Sequence, residues 1–409
     1  MDDDTRRRFL RASALGLGAA LSGCLRLAGT EEEIEQTAVN AATDTETQPP
    51  DDAPRASDTE TPEAGTETAT PFPISLTEQW RQFFEPVGPP LVTDGRVIVP
   101  TRDQGVTAVT DDGEINWQTV VASGYVPWHR PTLHDGDLYL SAFEDNVGLF
   151  RLDAETGTVA DSRSVGPSGG SVAATDDGLV VGTDHNEGSD YEEQLFGFDP
   201  SDLGQFWSKT ARSTYRGGTG YEGTAFVGFG NKLEARNPST GSVQWSVDHY
   251  ALESPIVHDG AVYLVTEDGG TRILARYDPT TGETTWTHES GTDDTIYVRA
   301  SSPAFAEGAA YLASEGALYA IDAATGERQW SSEIGGPVGE SPAVVGGIVW
   351  VVPTTDEGRN RELLGFDAGD GTKMYHDTLL AETVRPLAFG DALVVQLENQ
   401  LAAFAVDRA

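Results

Sequence analysis

The chain has 409 residues, 66 acidic against 26 basic, a net charge of −40 and a single cysteine. Such an excess of acid excludes nucleic acid and anionic lipid headgroups as principal partners, because both would be repelled. One cysteine excludes an internal disulfide framework and any cysteine-rich metal cluster, and the length suits either several domains or one large repeat architecture.

The first element is an export signal over residues 1–23. The stretch TRRRFLRASALGLGAALSGC, residues 5–24, has a basic start, a short apolar run and a small-residue end. Its apolar part, residues 12–23, is too short to cross a bilayer as a helix, which favours a cleaved signal peptide. Arg6 and Arg7, followed by Phe9 and Leu10, resemble the twin-arginine signal that exports folded proteins. Leu21-Ser22-Gly23-Cys24 resembles a lipobox, which implies cleavage before Cys24 and a lipid on its sulfur, anchoring the protein to the outer face of the cell membrane. Residues 24–71 follow as a stalk. Between Thr30 and Pro71 the sequence is rich in threonine, acid and proline and contains no aromatic residue. Such a segment cannot bury enough apolar surface to offset the entropy of ordering and is expected to be a disordered tether. Only three lysines occur, Lys209, Lys232 and Lys373. An acid-rich, lysine-poor chain resembles the proteins of extreme halophiles, where molar salt screens self-repulsion.

From residue 72 to the end, short alternating runs such as AVYLVT (261–266), AAYLAS (309–314) and IVWVVP (348–353) predict β-strands, with no convincing amphipathic helix. Many of these runs follow a two-residue hairpin turn: Asp94-Gly95, Asp135-Gly136, Asp177-Gly178, Glu222-Gly223, Asp259-Gly260 and Glu307-Gly308. Further along each unit an acid or amide stands four residues before a glycine and tryptophan four after it, as in Asp322-Ala-Ala-Thr-Gly326 and Trp330. Asn237, Gly241 and Trp245 repeat that spacing, and so do Asp278, Gly282 and Trp286.

The unit is therefore four strands in about 42 residues, the size of a propeller blade. Its docking position can be followed as Trp80, Trp117, Asp161, Trp207, Trp245, Trp286, Trp330 and Tyr375, which makes eight fourth strands. The eighth copy stops after three strands, whereas the strand around Trp80 lacks the three that should precede it. One arrangement covers both gaps. The chain is expected to be all-β, an eight-bladed propeller of four-stranded antiparallel blades whose ring is closed by the N-terminal strand. A closed ring of this kind is expected to be monomeric.

The segment SPAFAEGAAYLASEGALYAIDAATGERQW, 302–330, resembles the repeat of pyrroloquinoline-quinone (PQQ)-type β-propellers. The resemblance runs from about Ser75 to Asp407 and departs from the pattern at Asp161 and at DPSDLGQFW, 199–207. It implies that each tryptophan docks between neighbouring blades. The family includes quinoprotein dehydrogenases that oxidise alcohols or sugars with PQQ and, in many members, calcium. It also includes non-catalytic lipoproteins that bind partner proteins. The adjacent cysteines of many dehydrogenases are lacking, and so is a Cys-x-x-Cys-His haem motif. No histidine pair has metal-ligand spacing. The expectation is therefore a binding scaffold for an unidentified protein or an anionic ligand, with no catalytic, cofactor or metal site. PQQ with calcium belongs to the dehydrogenase alternative.

A candidate ligand site remains. A proline recurs near the start of six units, Pro90, Pro131, Pro255, Pro303, Pro342 and Pro386, and counting back from that position gives Arg130, Arg216, Arg299 and Arg385, with Trp128, His129, Glu253 and Glu340 beside them. In a propeller these positions line one mouth of the central channel. Arginine forks bind carboxylate or phosphate with paired hydrogen bonds. The alternative is that the arginines pair with the two glutamates as a polar lining.

Overall fold

The structure is a computed structural model that describes residues 72–102, 105–121, 129–141, 148–165, 170–183, 194–211, 213–268, 271–292, 301–314, 316–354, 360–381 and 383–408. Arg6, Arg7, Cys24, Trp128 and Arg299 lie outside the described residues. Among the described residues every element is a strand, and the strands form eight antiparallel sheets. The fold is the eight-bladed propeller.

Blade one runs Leu91–Thr93, Arg96–Thr101, Gly105–Thr110 and Ile115–Thr119 from the innermost strand outward. Each later blade repeats this order. The second strands are the most buried: all six residues of Ala309–Ser314 are buried, as its unbroken apolar run predicts. The fourth strands alternate between exposed and half-buried, as in Arg328–Glu333. The apolar cores lie between blades. Ile98, Val106, Ala108 and Trp117 of blade one pack with Leu138, Leu140, Phe150 and Leu152 of blade two. Blade five departs from the pattern, because its innermost strand is split into Tyr250–Ala251 and Ile256–His258, both paired with Ala261–Asp268.

Closure follows the sequence reading. Ile74–Phe83 pairs antiparallel with Gln400–Arg408 from Ile74↔Arg408 to Phe83↔Gln400, so the N-terminal strand completes the sheet begun by Val384–Phe389 and Ala392–Leu397. Side chains reinforce the seam: Thr77 donates to Asp407 at 2.7 Å and Arg81 to Gln400 at 2.8 Å.

The recurring motif has a direct physical cause. In the Asp322-Ala-Ala-Thr-Gly326 turn, Asp322 Oδ1 accepts the amides of Ala324 and Thr325 at 3.0 and 2.8 Å. Gly326 then closes the turn at φ +77°, a left-handed conformation that disfavours a side chain. The indole of Trp286, from blade five, lies flat on this glycine; a Cβ there would stand 2.6 Å from the ring. The same indole donates to the Ala323 carbonyl at 3.2 Å. Each turn thus receives the tryptophan of the blade before it. Trp80, Trp117, Trp207, Trp245 and Trp330 dock in this way on the turn glycines 113, 157, 241, 282 and 371. Their indoles donate to Asp111, Ala154, Pro238, Pro279 and Ala368.

The two places where the motif fails in sequence, Asp161 and the turn at 199–204, are one coupled event. Leu203 occupies the turn-glycine position, at φ +53°, and makes the same bond, its amide to the Asp199 carbonyl at 3.0 Å. Its side chain is fully buried among Tyr139, Leu149 and Val165 of blade two. Leucine supplies the apolar bulk that the missing tryptophan supplies elsewhere. Arg163, two residues after Asp161, donates to the Leu203 carbonyl at 2.8 Å. That repeats a second link between blades seen where Thr119 donates to Gly157 and Ser332 to Gly371, each at 2.6 Å. Tyr375 of blade seven faces no such turn, because blade eight takes its outer strand from the N-terminus; it packs edge-on against Trp350, 5.3 Å between centroids.

Candidate functional site

Each innermost strand starts at one mouth of the ring and ends in its tight turn at the other. At Glu307-Gly308 both residues have positive φ, +51° and +79°, so the hairpin fixes which end of Ala304–Ala306 faces which mouth. The residues just before these strands therefore converge on the opposite mouth from four different blades. Arg130 precedes Thr132–His134 of blade two, and Arg385 is the second residue of Val384–Phe389 in blade eight. Glu340 precedes Ala343–Val345 of blade seven, and Glu253 sits in the split of the blade-five innermost strand.

The charges at this mouth are mixed and unequally committed. Arg385 Nε donates to Glu340 Oε2 at 2.5 Å, with both side chains largely covered. Such a pair is strongly directional and holds both groups in place. Arg130 is different. Among the described residues its guanidinium makes no hydrogen bond and no ion pair, although Glu253, Arg385 and Glu340 all act on it electrostatically. Arg130 is exposed. Desolvation is the largest influence and pulls its pKa down; Glu253 opposes this, Arg385 adds to it, and Glu340 opposes it.

Arg216 is not part of that cluster. Its Nη2 donates to the Tyr250 hydroxyl at 3.0 Å, its guanidinium lies 5.8 Å from the centre of that ring, and its carbonyl accepts from Ser254 at 2.9 Å. Beside it lies a contact between blades that the sequence pattern did not reveal. Ser171 of blade three and Ser254 of blade five approach to 3.1 Å across Gly217 of blade four. A Cβ on Gly217 would stand 2.0 Å from the Ser254 hydroxyl, and φ there is +116°, so only glycine lets the two blades meet. The pair Gly217-Gly218, with Gly218 standing where six other blades have proline, was the available signal.

One further residue was not foreseen. Gln396 lies directly opposite Arg385 in the strand register and is 1% exposed. Its Nε2 donates to the Gly88 carbonyl of blade one at 3.3 Å, while its buried Oε1 accepts nothing. His129 is half-buried beside Arg130.

Among the described residues six tryptophans are covered by turn glycines of the next blade and Trp350 is fully buried. Trp80, Trp117, Trp207, Trp245, Trp286 and Trp330 serve the ring, as the repeat predicts, and Arg385 is already engaged by Glu340.

Comparison with known proteins gives the same architecture. A family model described as "Outer membrane protein assembly factor BamB" matches residues 77–176, 169–317 and 270–408. The tetrathionate hydrolase of Acidithiobacillus ferrooxidans is 27% identical over 137 residues, 31% of this chain, and the match spans only 27% of that relative's length. Among solved structures, BamB from Moraxella catarrhalis superposes with a TM-score of 0.59 at 16% identity, over 81% of this chain and all of its own. Quinohemoprotein alcohol dehydrogenase from Comamonas testosteroni gives 0.57 at 15% identity, over 80% of this chain and 76% of its own. A europium-containing methanol dehydrogenase gives 0.60 at 13% identity, over 81% and 93%. At these identities the structural likeness carries the fold alone.

Proposed function

The chain belongs to the outer membrane protein assembly factor BamB family, and from that premise we propose that it is an exported, lipid-anchored propeller acting as a binding scaffold at the outer face of the cell membrane. The observation that carries the binding role is the mouth at which Arg130, Glu253, Glu340 and Arg385 converge from blades two, five, seven and eight. A rigid ring that presents polar groups from several blades at one opening is suited to recognition, because its groups are already positioned when a partner arrives. The anchor reading rests on the twin arginines, the short apolar run and Cys24 in that order. Residues 24–71 would then be the tether that holds the propeller clear of the membrane.

The test has three arms. Wild-type protein should fractionate with membranes and carry lipid on an N-terminal Cys24, whereas Cys24→Ser should be released or remain an unprocessed precursor. Arg6→Lys with Arg7→Lys should leave the precursor inside the cell. The intact lipoprotein, used as bait in salt-extracted membranes, should recover a defined partner. Correctly processed, membrane-retained Cys24→Ser would remove the lipoprotein reading. Quinone absorbance in the purified holoprotein, with dye reduction by alcohols or sugars, would replace the scaffold by a PQQ-dependent dehydrogenase.

A further inference from the structure

We infer that the seam between blades five and six is an acid-sensitive joint of the ring, and that His288 is the side chain that senses the proton. Its position belongs to a link that recurs in most blades: the residue two after the docking position donates to the turn carbonyl of the next blade. Gln82 donates to Gly113 and Thr119 to Gly157, each at 2.6 Å, and Arg163 donates to Leu203 at 2.8 Å. Lys209 donates to Gly241, and Ser332 to Gly371 at 2.6 Å. Blade four has Val247 at this position, which carries no donor. In blade five the donor is His288, whose Nδ1 lies 3.2 Å from the Gly326 carbonyl. Of these link residues only the imidazole changes charge near neutral pH.

A carbonyl accepts only from a protonated Nδ1, so the neutral ring carries its hydrogen there and leaves Nε2 bare. Nε2 is buried and has no hydrogen-bond partner. A second proton would put a charged donor at that buried atom with nothing to receive it, a far greater penalty than a bare acceptor. Tyr319 of blade six meets the ring edge-on at 6.0 Å. In its own blade, Arg272 and Arg276 stand two residues either side of Leu274, the residue directly opposite His288. Desolvation is the largest influence on the ring and holds its pKa below the ordinary 6.5; the Gly326 bond opposes this, Arg328 of blade six adds to it, and Glu289 opposes it. With the folded pKa lowered, the stabilisation is present above 6.5 and is lost as pH falls through the folded value. His258, the other histidine of this seam, stacks on Phe305 at 4.2 Å and has the Asp259 carboxylate at 3.5 Å, so a charge there has an anion to meet it. Blade five also supplies Glu253 and Ser254 to the mouth, but the joint stands whether or not the mouth holds a partner.

The test is amide hydrogen exchange of the full chain at fixed high salt, at about pH 7.5 and about pH 5.5, with each rate divided by the intrinsic rate at that pH. In this window ordinary carboxylates stay ionised, so histidine is the main group that titrates. The reporter is the blade-six turn 322–327, in which the Gly326 amide donates to the Asp322 carbonyl. The internal control is the blade-seven turn 367–372, which Ser332 holds through Gly371. Opening at 322–327 should rise by about 10-fold at the lower pH, the ceiling for one proton taken up by a group of pKa about 6.5, while 367–372 should not change. His288→Gln, the donor that blade eight uses as Gln82, should hold the seam at both pH values and remove the difference. His288→Val, which copies Val247, should open 322–327 at both pH values. His258→Gln should keep the wild-type response. Equal change at the two turns, no change at 322–327, an undiminished response in His288→Gln, or its loss in His258→Gln overturns the assignment. So does a His288→Val seam as protected as wild type at the higher pH.

Discussion

A pair of glycine substitutions isolates what the tryptophan lock contributes. Gly308 and Gly326 share almost the same left-handed backbone, φ +79° and +77°. A Cβ added at Gly308 meets nothing within 4 Å, whereas one at Gly326 would stand 2.6, 2.8 and 2.9 Å from Trp286 ring atoms. Gly308→Ala therefore carries only the left-handed strain, about 1 kcal/mol. Gly326→Ala carries the same strain, and it also displaces the indole from the turn and its bond to the Ala323 carbonyl. Overpacking at a tight contact costs about 1–3 kcal/mol and the hydrogen bond about 1 kcal/mol. The difference between the variants should be about 2 kcal/mol or more. With a urea m-value of about 3 kcal/mol/M, that separates their midpoints by about 0.7 M. Urea unfolding followed by tryptophan fluorescence, in constant high salt, reads it directly. Equal midpoints for the two variants would refute the view that the motif exists to seat the neighbouring indole.

Restoring the blade-two motif provides a second test: Leu203→Gly alone should destabilise by opening a cavity, and Asp161→Trp alone by colliding with Leu203. The double variant should recover much of both losses, and simple additivity would disprove the exchange. Deleting residues 72–84 should leave the domain aggregating or protease-sensitive by exposing Gln400–Arg408, while deleting 30–70 should leave it folded; limited proteolysis distinguishes them, and identical behaviour contradicts the closure. With 66 acidic and 26 basic residues, melting temperature should rise steeply with potassium chloride, as the Debye length shrinks from about 10 Å at 0.1 M to about 3 Å at 1 M; indifference to salt would remove the halophilic reading. Asp153, Asp278 and Asp322 have pKa values held below 3.8, Asp153 first by the Thr156 hydroxyl, Asp278 by the Thr281 amide and Asp322 by the Thr325 amide. A depressed folded pKa stabilises above the unfolded value and is lost as pH falls through the folded one, so the contribution of these three aspartates should be lost below about pH 4, and Asp322→Asn should flatten that part of the slope in an acid titration of the melting temperature.

What the sequence made legible follows from what repeats. The tryptophan, the capping aspartate and the turn glycine recur at fixed spacing because each blade must seat the indole of the previous one, so the ring, its eight blades and the closing strand could be read before any coordinates. The exchange at Asp161 and Leu203 was visible as two departures but not as one, because the residues lie 42 apart and meet only across a blade interface. The mouth was legible as a set of arginines, whereas their commitments were not. Spacing places Arg130, Arg216 and Arg385 alike, yet Arg385 finds Glu340, Arg216 finds Tyr250, and Arg130 finds neither. Gln396 carried no signal, since a lone glutamine at the end of an apolar strand says nothing of the residue opposite it. The Ser171–Ser254 contact needed Gly217 to lie between them, which only the assembled ring provides.

The central claim, that the ring binds its partner through the mouth at Arg130, is tested most directly by photo-crosslinking from two positions in membrane-anchored protein. One probe replaces His129, beside Arg130, and the other replaces Glu307, in the tight turn at the opposite mouth. A discrete adduct from position 129, lost when Arg130→Gln is added, with none from 307, is the expected result. Adducts of equal yield from both positions, or from 307 alone, would contradict it.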